Sequence, residues 1–226
     1  MKHTPHPAAF TLVELLVVVA VIALLGSLVL TASFRAMDMA KQAQCRSNLN
    51  QIGKAFFIYL GAYEQWMVAI GTPAGHYKWW YDALGDETGN PKIFRCPSKP
   101  QTKLGYGYNV RYADPFGNKH CWNKTLPYNI VKNPEGTIAF ADAGNVPNFT
   151  ADPAEWKEPD SMPIEAKVRF PYSDHDPYWG ITCSRTVPRH RGQSNCLMFD
   201  GAVQAHRPAD ILQLKYGQSG CLFDNQ

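Results

Sequence analysis

The stretch Phe10 to Leu30, FTLVELLVVVAVIALLGSLVL, is a largely apolar run that carries one charged residue, Glu14. As a helix that rises about 1.5 Å per residue, it would span roughly 30 Å, the thickness of the hydrocarbon core of a bilayer. The stretch therefore predicts a membrane-spanning helix. A carboxylate inside such a helix is costly unless it has a partner, so Glu14 is predicted to have one. The alternative is an acid that reaches out to water from near the helix end.

The residues around Glu14 resemble the class III signal of type IV pilins and type II secretion pseudopilins. The matching run is Phe10 to Val18, FTLVELLVV, after a short leader, residues 1–9. The resemblance implies that a prepilin peptidase cuts between Ala9 and Phe10 and methylates the new amine of Phe10. It also places Glu14 at the family's acidic position. That family usually has Gly before the cut, where this chain has Ala9; Ala is closest to Gly in size, so we expect processing to survive.

An ordinary secretory signal is the rival interpretation, since it also combines a basic start with an apolar core. Its cleavage site follows the apolar run, where the segment TASFRAM does offer small residues. A secretory core is, however, shorter than Phe10 to Leu30. The charges do not settle the orientation, because Lys2 stands alone before the span and Arg35, Lys41 and Arg46 follow it.

The composition suits one membrane helix and one globular domain. A net charge of +3 over 226 residues gives no signal for nucleic acid. The cysteines form no C-x-x-C pair, so zinc ligation has little support from spacing. An even count behind an export signal instead favours disulfides outside the cytoplasm, with the pairing left open. The six are Cys45, Cys96, Cys121, Cys183, Cys196 and Cys221.

The membrane helix is predicted to continue into a soluble one, because no proline occurs between Pro7 and Pro73. Residues 31–65 form the amphipathic continuation, and residues 66–226 form the globular domain. Apolar residues recur at three- and four-residue steps, at Leu49, Ile52, Gly53, Phe56, Tyr59, Leu60 and Tyr63. Gly53 on this stripe suggests that another element approaches closely.

Two strand signals follow. A turn at Pro134-Glu135-Gly136 precedes an apolar strand from Thr137 to Ala141. Asp200-Gly201 lies between two apolar runs, which predicts a hairpin with a two-residue I′ turn. That turn would pair Phe199 with Ala202 and Met198 with Val203, with the first strand buried on both faces. One face of the hairpin would carry Cys196, Met198, Val203 and Ala205, and the other face would carry Leu197 and Phe199. A helix followed by such strands indicates an α+β fold.

A second resemblance lies in the same region. His190, nine residues, and then Asp200-Gly201 is similar to the H-x9-D-G hallmark of a large group of bacterial pilin-like proteins. Four further fragments agree in order, at Cys45–Gly53, Cys96–Ser98, Tyr106–Asn109 and Phe140–Asp142. The resemblance implies a long N-terminal helix packed on a small antiparallel sheet. It also implies a disulfide between Cys45 and Cys96, which would join the helix to the sheet.

Catalytic and ligand-binding chemistry finds little support in the spacing. His190 could pair with Asp200, or form a metal site with His206, but the turn itself explains Asp200, and His190 is expected to bond the hairpin backbone. Asp114 to Asn118, DPFGN, is a weak calcium candidate and equally a turn. The aromatic run Trp79-Trp80-Tyr81 is expected to serve the core more than a sugar. No other cofactor is expected.

These observations predict a non-enzymatic structural subunit of a type II secretion or type IV pilus-type filament. Its predicted partners are a prepilin peptidase, other copies or related pilin-like subunits, an inner-membrane assembly platform and membrane lipid. The predicted location is the inner membrane, crossed once, with the C-terminal domain in the periplasm or outside the cell. Two alternatives stay open: a minor or tip subunit that binds polysaccharide or another exported ligand, and a membrane-tethered enzyme.

Overall fold

The computed structural model describes residues 11–69, 79–102, 104–109, 126–146, 167–168, 184–207 and 210–211. The chain divides into two compact units, Met1–Ala40 and Lys41–Gln226. We refer to the second as the C-terminal unit.

Helix α1 comprises Leu12–Ala62, 51 residues without a break. The prediction that the N-terminal helix runs on without interruption past Leu30 is therefore confirmed. The helix contains a stretch that is long and apolar enough to cross a membrane, judged by length and composition. Its apolar side chains from Leu12 to Leu30 are exposed, which in water alone would be unfavourable.

Within the C-terminal unit, α1 buries one face. The buried residues are Cys45, Asn48, Leu49, Ile52, Gly53, Ala55, Phe56 and Leu60. This confirms most of the predicted stripe. Tyr59 is only partly buried, and Tyr63 is 52% exposed, because α1 ends at Ala62 and the next residues form a turn. The Tyr63 ring instead stacks on Tyr59, with centroids 4.2 Å apart.

A six-stranded sheet has the order β1-β3-β4-β2-β5-β6, with β1 also paired to β2. The strands are β1 (Tyr106–Asn109), β2 (Ile138–Asn145), β3 (Lys167–Val168), β4 (Ser184–Thr186), β5 (Ser194–Met198) and β6 (Val203–His206). Strand β2 pairs antiparallel with β1, β4 and β5, and β5 pairs antiparallel with β6. Among the strands in the described part of the chain, only the two-residue β3 pairs parallel, with β1 and β4. The predicted α+β fold with a small antiparallel sheet is thus confirmed.

Strand β2 begins one residue later than predicted and extends four residues further, to Asn145. A shorter helix, α2 (Trp80–Thr88), and 3-10 turns at Pro91–Phe94 and Tyr128–Ile130 complete the described structure.

Aromatic side chains build the core between α1 and the sheet. The Phe56 ring lies 5.6 Å from Phe140 and 6.0 Å from Phe199, measured between centroids. Trp80 is fully buried and lies 5.2 Å from Phe140. Trp79 and Tyr81 are only half-buried, and their rings stack nearly parallel. The predicted core role therefore holds for Trp80, the central residue of the aromatic run.

The predicted two-residue hairpin is wrong by one residue. Leu197 pairs with Val203, and the Met198 amide donates to the Ala202 carbonyl at 2.8 Å. The loop therefore has three residues, with Gly201 at φ 93°, the geometry of a type I turn closed by a bulge. Val203 was predicted to lie on the sheet face of Cys196 and Met198. The shift by one residue places it on the face of Leu197 instead. The prediction that β5 is buried on both faces is confirmed.

Candidate functional site

The N-terminal processing residues lie partly outside the described structure. Ala9 and Phe10 are not among the described residues. Glu14 is described, and its Oε2 accepts hydrogen bonds from the Thr11 amide at 2.8 Å and the Thr11 hydroxyl at 2.7 Å. The Glu14 amide in turn donates to the Thr11 hydroxyl at 3.3 Å. This reciprocal pair is a capping box, so the Glu14 carboxylate has a partner within its own chain.

Asp200 and Gly201 serve the hairpin. Oδ1 of Asp200 accepts a hydrogen bond from the Ala202 amide at 2.8 Å. The predicted structural role of Asp200 is confirmed. His206 does not join His190 in the described structure: its Nε2 lies 3.1 Å from Oε1 of Gln204, its neighbour but one on β6.

His190 differs from its expected role. Its backbone does form a bridge with Gln193, but its side chain is buried in the core rather than bonded to the hairpin backbone. Nε2 of His190 lies 3.5 Å from Oδ2 of Asp142 and 3.9 Å from Sγ of Cys96. The partner of the histidine is therefore Asp142 on β2 and not Asp200.

Four buried side chains meet at this point: Cys45, Cys96, Asp142 and His190. One ligand-type atom from each lies within 4.8 Å of the corresponding atom of every other. They come from α1, from the loop after the 3-10 turn, from β2 and from the loop before β5. We call these four residues the thiol cluster.

Backbone packing fixes the position of Cys96. A Cβ on Gly105 would overlap the Cβ and amide nitrogen of Cys96, so only glycine allows this approach. The Gly105 amide donates to the Phe94 carbonyl at 2.7 Å. Across the site, Nδ2 of Asn48 donates to the Arg95 carbonyl at 3.0 Å. The helix and the Cys96 loop are thus bonded directly beside the cluster.

Asp142 is held on one oxygen only. Its Oδ2 accepts hydrogen bonds from the Asn195 amide at 2.6 Å and from Nδ2 of Asn195 at 2.9 Å. Its Oδ1 is buried and has no hydrogen-bond partner among the described residues. Burial raises the pKa of Asp142 to about 7, against the opposing charge of His190. A fully buried carboxylate with one unsatisfied oxygen is a costly arrangement.

Arg189 supplies a positive charge beside the cluster. Its guanidinium donates to the Gly105 carbonyl at 2.5 Å and to the Ala143 carbonyl. Burial acts to lower the pKa of His190, but its contact with Cys96 and the charge of Asp142 outweigh burial and raise that pKa. The Arg189 guanidinium and the raised pKa of His190 both place positive charge next to the Cys96 sulfur and the Asp142 carboxylate.

The Sγ atoms of Cys45 and Cys96 lie 3.0 Å apart, and the two cysteines are not joined by a disulfide in this structure. The contact with Cys45, followed by His190 and Arg189, outweighs burial and lowers the pKa of the Cys96 thiol. Cys96 is therefore the sulfur that carries negative charge first. The disulfide expected between Cys45 and Cys96 stays a prediction, with the sulfurs already adjacent.

The remaining predicted site residues give no further centre. The calcium candidates Asp114 and Asn118 lie outside the described residues, as do Cys121, Cys183 and Cys221. Cys196 is buried on β5 and contacts the Ser194 carbonyl at 3.9 Å.

Sequence reasoning missed the thiol cluster because its members are far apart in the chain. A signal did exist, since four of the five fragments that carry the H-x9-D-G resemblance contain one member each: Cys45–Gly53, Cys96–Ser98, Phe140–Asp142 and the segment beginning at His190. Only the fold shows that these fragments meet.

The long helix with its exposed apolar N-terminal stretch, together with the α+β domain, is consistent with a membrane-anchored protein of pilin-like fold. Residues 6–30 match the family described as Prokaryotic N-terminal methylation motif. This motif indicates a type IV pilin-like or pseudopilin-like precursor, and it implies processing by a prepilin peptidase. No curated protein and no solved structure matches the chain.

Proposed function

We propose that this chain is a structural subunit of a type II secretion or type IV pilus-type filament. The observation that carries the proposal is the methylation motif at residues 6–30, which coincides with the exposed apolar part of α1. Exposed apolar side chains at this density need lipid or other helices around them. While the protein is in the membrane, lipid covers these side chains. In a filament, the helices of neighbouring subunits cover them.

Glu14 gives the assembly its register. In the precursor the carboxylate is satisfied by Thr11 of its own chain. Cleavage between Ala9 and Phe10 creates a new amine four residues away, and the amine of an adjacent subunit would meet Glu14 when the helices dock. In a low-dielectric core an unpaired carboxylate is expensive, so docking that pairs it is preferred.

A structural role, rather than an enzymatic one, is supported by the burial of the reactive groups. Cys45, Cys96 and Asp142 are each 0% exposed and His190 is 3% exposed. A substrate has no access to side chains at that depth without opening the fold.

The proposed partners follow from this assembly. They are the prepilin peptidase, other copies or related pilin-like subunits, an inner-membrane platform and lipid. The proposed location is the inner membrane, with the C-terminal unit on the periplasmic side or outside the cell as part of a filament.

The test is the N-terminal mass of the protein isolated from the membranes of its own host. A chain that begins with methylated Phe10, and that copurifies with sheared surface or periplasmic filaments, supports the proposal. A chain that keeps Met1, or one that begins beyond Leu30, contradicts it.

Exposed aromatic residues favour a second function, a minor or tip subunit that binds polysaccharide. Tyr63 and Trp66, just after α1, are 52% and 44% exposed, and the stacked Tyr59–Tyr63 pair adds a flat aromatic surface. Such surfaces suit the faces of sugar rings. Glycan-array binding that disappears in Trp66→Ala but persists in Phe57→Ala would support this function. A subunit with this function should also be much less abundant than the major subunit of the filament.

A further inference from the structure

We propose that the thiol cluster is a binding site for a divalent transition-metal ion, with Zn²⁺ as the ion its ligands suit best. The ligands are Sγ of Cys45, Sγ of Cys96, a carboxylate oxygen of Asp142 and Nε2 of His190. The site lies wholly in the C-terminal unit, so the proposal does not depend on the filament function.

The four ligand atoms are close enough together to bind one ion. Four ligand atoms within 4.8 Å of one another need only small movements to surround one centre. Zinc binds thiolate sulfur at about 2.3 Å, imidazole nitrogen at about 2.0 Å and carboxylate oxygen at about 2.0 to 2.2 Å. Around such an ion the two sulfurs would move apart from their present 3.0 Å, and all four ligand atoms would stay within the 4.8 Å that already contains them.

The carboxylate supplies an independent observation. Asp142 is 0% exposed, and its Oδ1 has no hydrogen-bond partner among the described residues. A disulfide between the two cysteines would leave this oxygen without a partner, because the His190 ring lies against the other oxygen, Oδ2. A metal ion would take this carboxylate and both sulfurs as ligands at once, and so would satisfy the buried polar atoms of the cluster.

The charges balance. Two thiolates and one carboxylate carry three negative charges. A divalent ion neutralises two of them, so the occupied site has a net charge of −1. The Arg189 guanidinium, bonded to the carbonyls of Gly105 and Ala143, lies beside the cluster and offsets this charge. Asn195 holds Oδ2 of Asp142 through two hydrogen bonds and so orients the carboxylate as an outer-shell group would.

The ligand types choose the metal. Two thiolates with one imidazole are soft and intermediate ligands, which select zinc over calcium or magnesium. Protein side chains fill all four positions and the site is buried, which is the pattern of a structural rather than a catalytic zinc. The ion would join α1, the Cys96 loop, β2 and the segment before β5.

The first experiment measures metal in the full-length protein, extracted in detergent under anaerobic conditions, with free thiols alkylated in a parallel sample. About one zinc per chain is expected. Because burial alone also shields Cys45 and Cys96, the informative result is a rise in their alkylation when the zinc is removed. His190→Ala is expected to lose the zinc, whereas the matched control Cys196→Ser, at a buried cysteine outside the cluster, is expected to keep it. His190→Cys should restore binding, because sulfur also ligates zinc.

Cobalt substitution protects the test from variants that fail to fold. Co²⁺ added to the metal-free wild-type protein should give the visible absorption of a tetrahedral ion and a thiolate-to-metal band. Asn195→Ala should weaken Co²⁺ binding by about 10- to 100-fold, as loss of an outer-shell partner does.

Three results would overturn the proposal. The first is peptide mapping that finds a Cys45–Cys96 disulfide and no metal in the protein as isolated. The second is equal zinc content in wild type and His190→Ala. The third is a cobalt spectrum without a thiolate band.

Discussion

Gly53 of α1 and Leu197 of β5 are in such close contact that a Cβ on Gly53 would lie 3.1 Å from Cδ1 of Leu197. The helix therefore approaches the sheet closely enough that even a methyl group at position 53 would press on Leu197. Because Gly53 lies on the same helix face as Leu49 and Phe56, this contact sets the distance at which the whole buried face of α1 packs.

A larger residue at position 53 should separate the helix from the sheet. Gly53→Leu is expected to destabilise the C-terminal unit by about 1 to 3 kcal/mol, the usual cost of overpacking. Gly61→Ala is the control: it is also on α1 but has open space around it, so it should stabilise by up to about 1 kcal/mol. Denaturant unfolding of the full chain, followed by tryptophan fluorescence, measures both. Equal effects of the two variants would contradict the close approach.

Phe56 is the centre of the aromatic core and is 1% exposed. Phe56→Ala should cost about 3 to 5 kcal/mol, because it removes a large buried ring and leaves a cavity between Phe140 and Phe199. Phe57→Ala serves as the control, since that neighbouring ring is 40% exposed and should cost well under half as much. The same unfolding measurement applies, and a small effect of Phe56→Ala would show that this core packs differently.

Gly201 closes the β5–β6 hairpin with φ 93°, and a Cβ there would also lie 3.1 Å from the Phe57 ring. Gly201→Ala should therefore destabilise by about 1 to 2 kcal/mol through backbone strain alone, and by more if Phe57 cannot move. Asp200→Asn should be nearly neutral, because an amide oxygen can still accept from the Ala202 amide. Thermal unfolding of the two variants should separate them clearly; similar melting temperatures would argue against the three-residue loop.

Glu14→Ala should leave membrane insertion intact, because it makes the apolar stretch more apolar. Filament yield should fall sharply, since the amine of a neighbouring Phe10 would lose its partner. Glu14→Gln separates charge from hydrogen bonding, as it keeps an acceptor for Thr11 but not the negative charge. Sheared filaments and membrane fractions, quantified by immunoblot, report both steps. Normal filament yield from Glu14→Ala would remove the residue from assembly.

Ala9→Gly should be processed at least as fast as wild type, because it restores the residue that the peptidase family usually meets before the cut. The readout is the ratio of precursor to mature chain over time after synthesis, measured by mass. Ala9→Leu, which is larger, should accumulate precursor. Identical processing of all three chains would mean that cleavage does not occur at this position.

The helix, the sheet class and most of the buried stripe were predictable, because they follow from patterns within one segment. Leu49, Ile52 and Phe56 recur at helical spacing, and that periodicity alone indicates which face is covered. The hairpin was located correctly at Asp200-Gly201, but its register was not. A two-residue turn and a three-residue turn with a bulge use the same Asp-Gly pair, and the choice depends on how β5 fits against β2 and α1.

The sequence by itself determined the long N-terminal helix, its membrane-compatible half and the methylation motif that overlaps it, since all three depend on the order of neighbouring residues. Only the tertiary structure decided the surroundings of His190. The histidine side chain contacts Asp142 and Cys96, residues 48 and 94 positions earlier in the chain. No local pattern records such a meeting, because it results from the packing of α1 on the sheet. The thiol cluster, and the metal proposed for it, therefore depend on the fold.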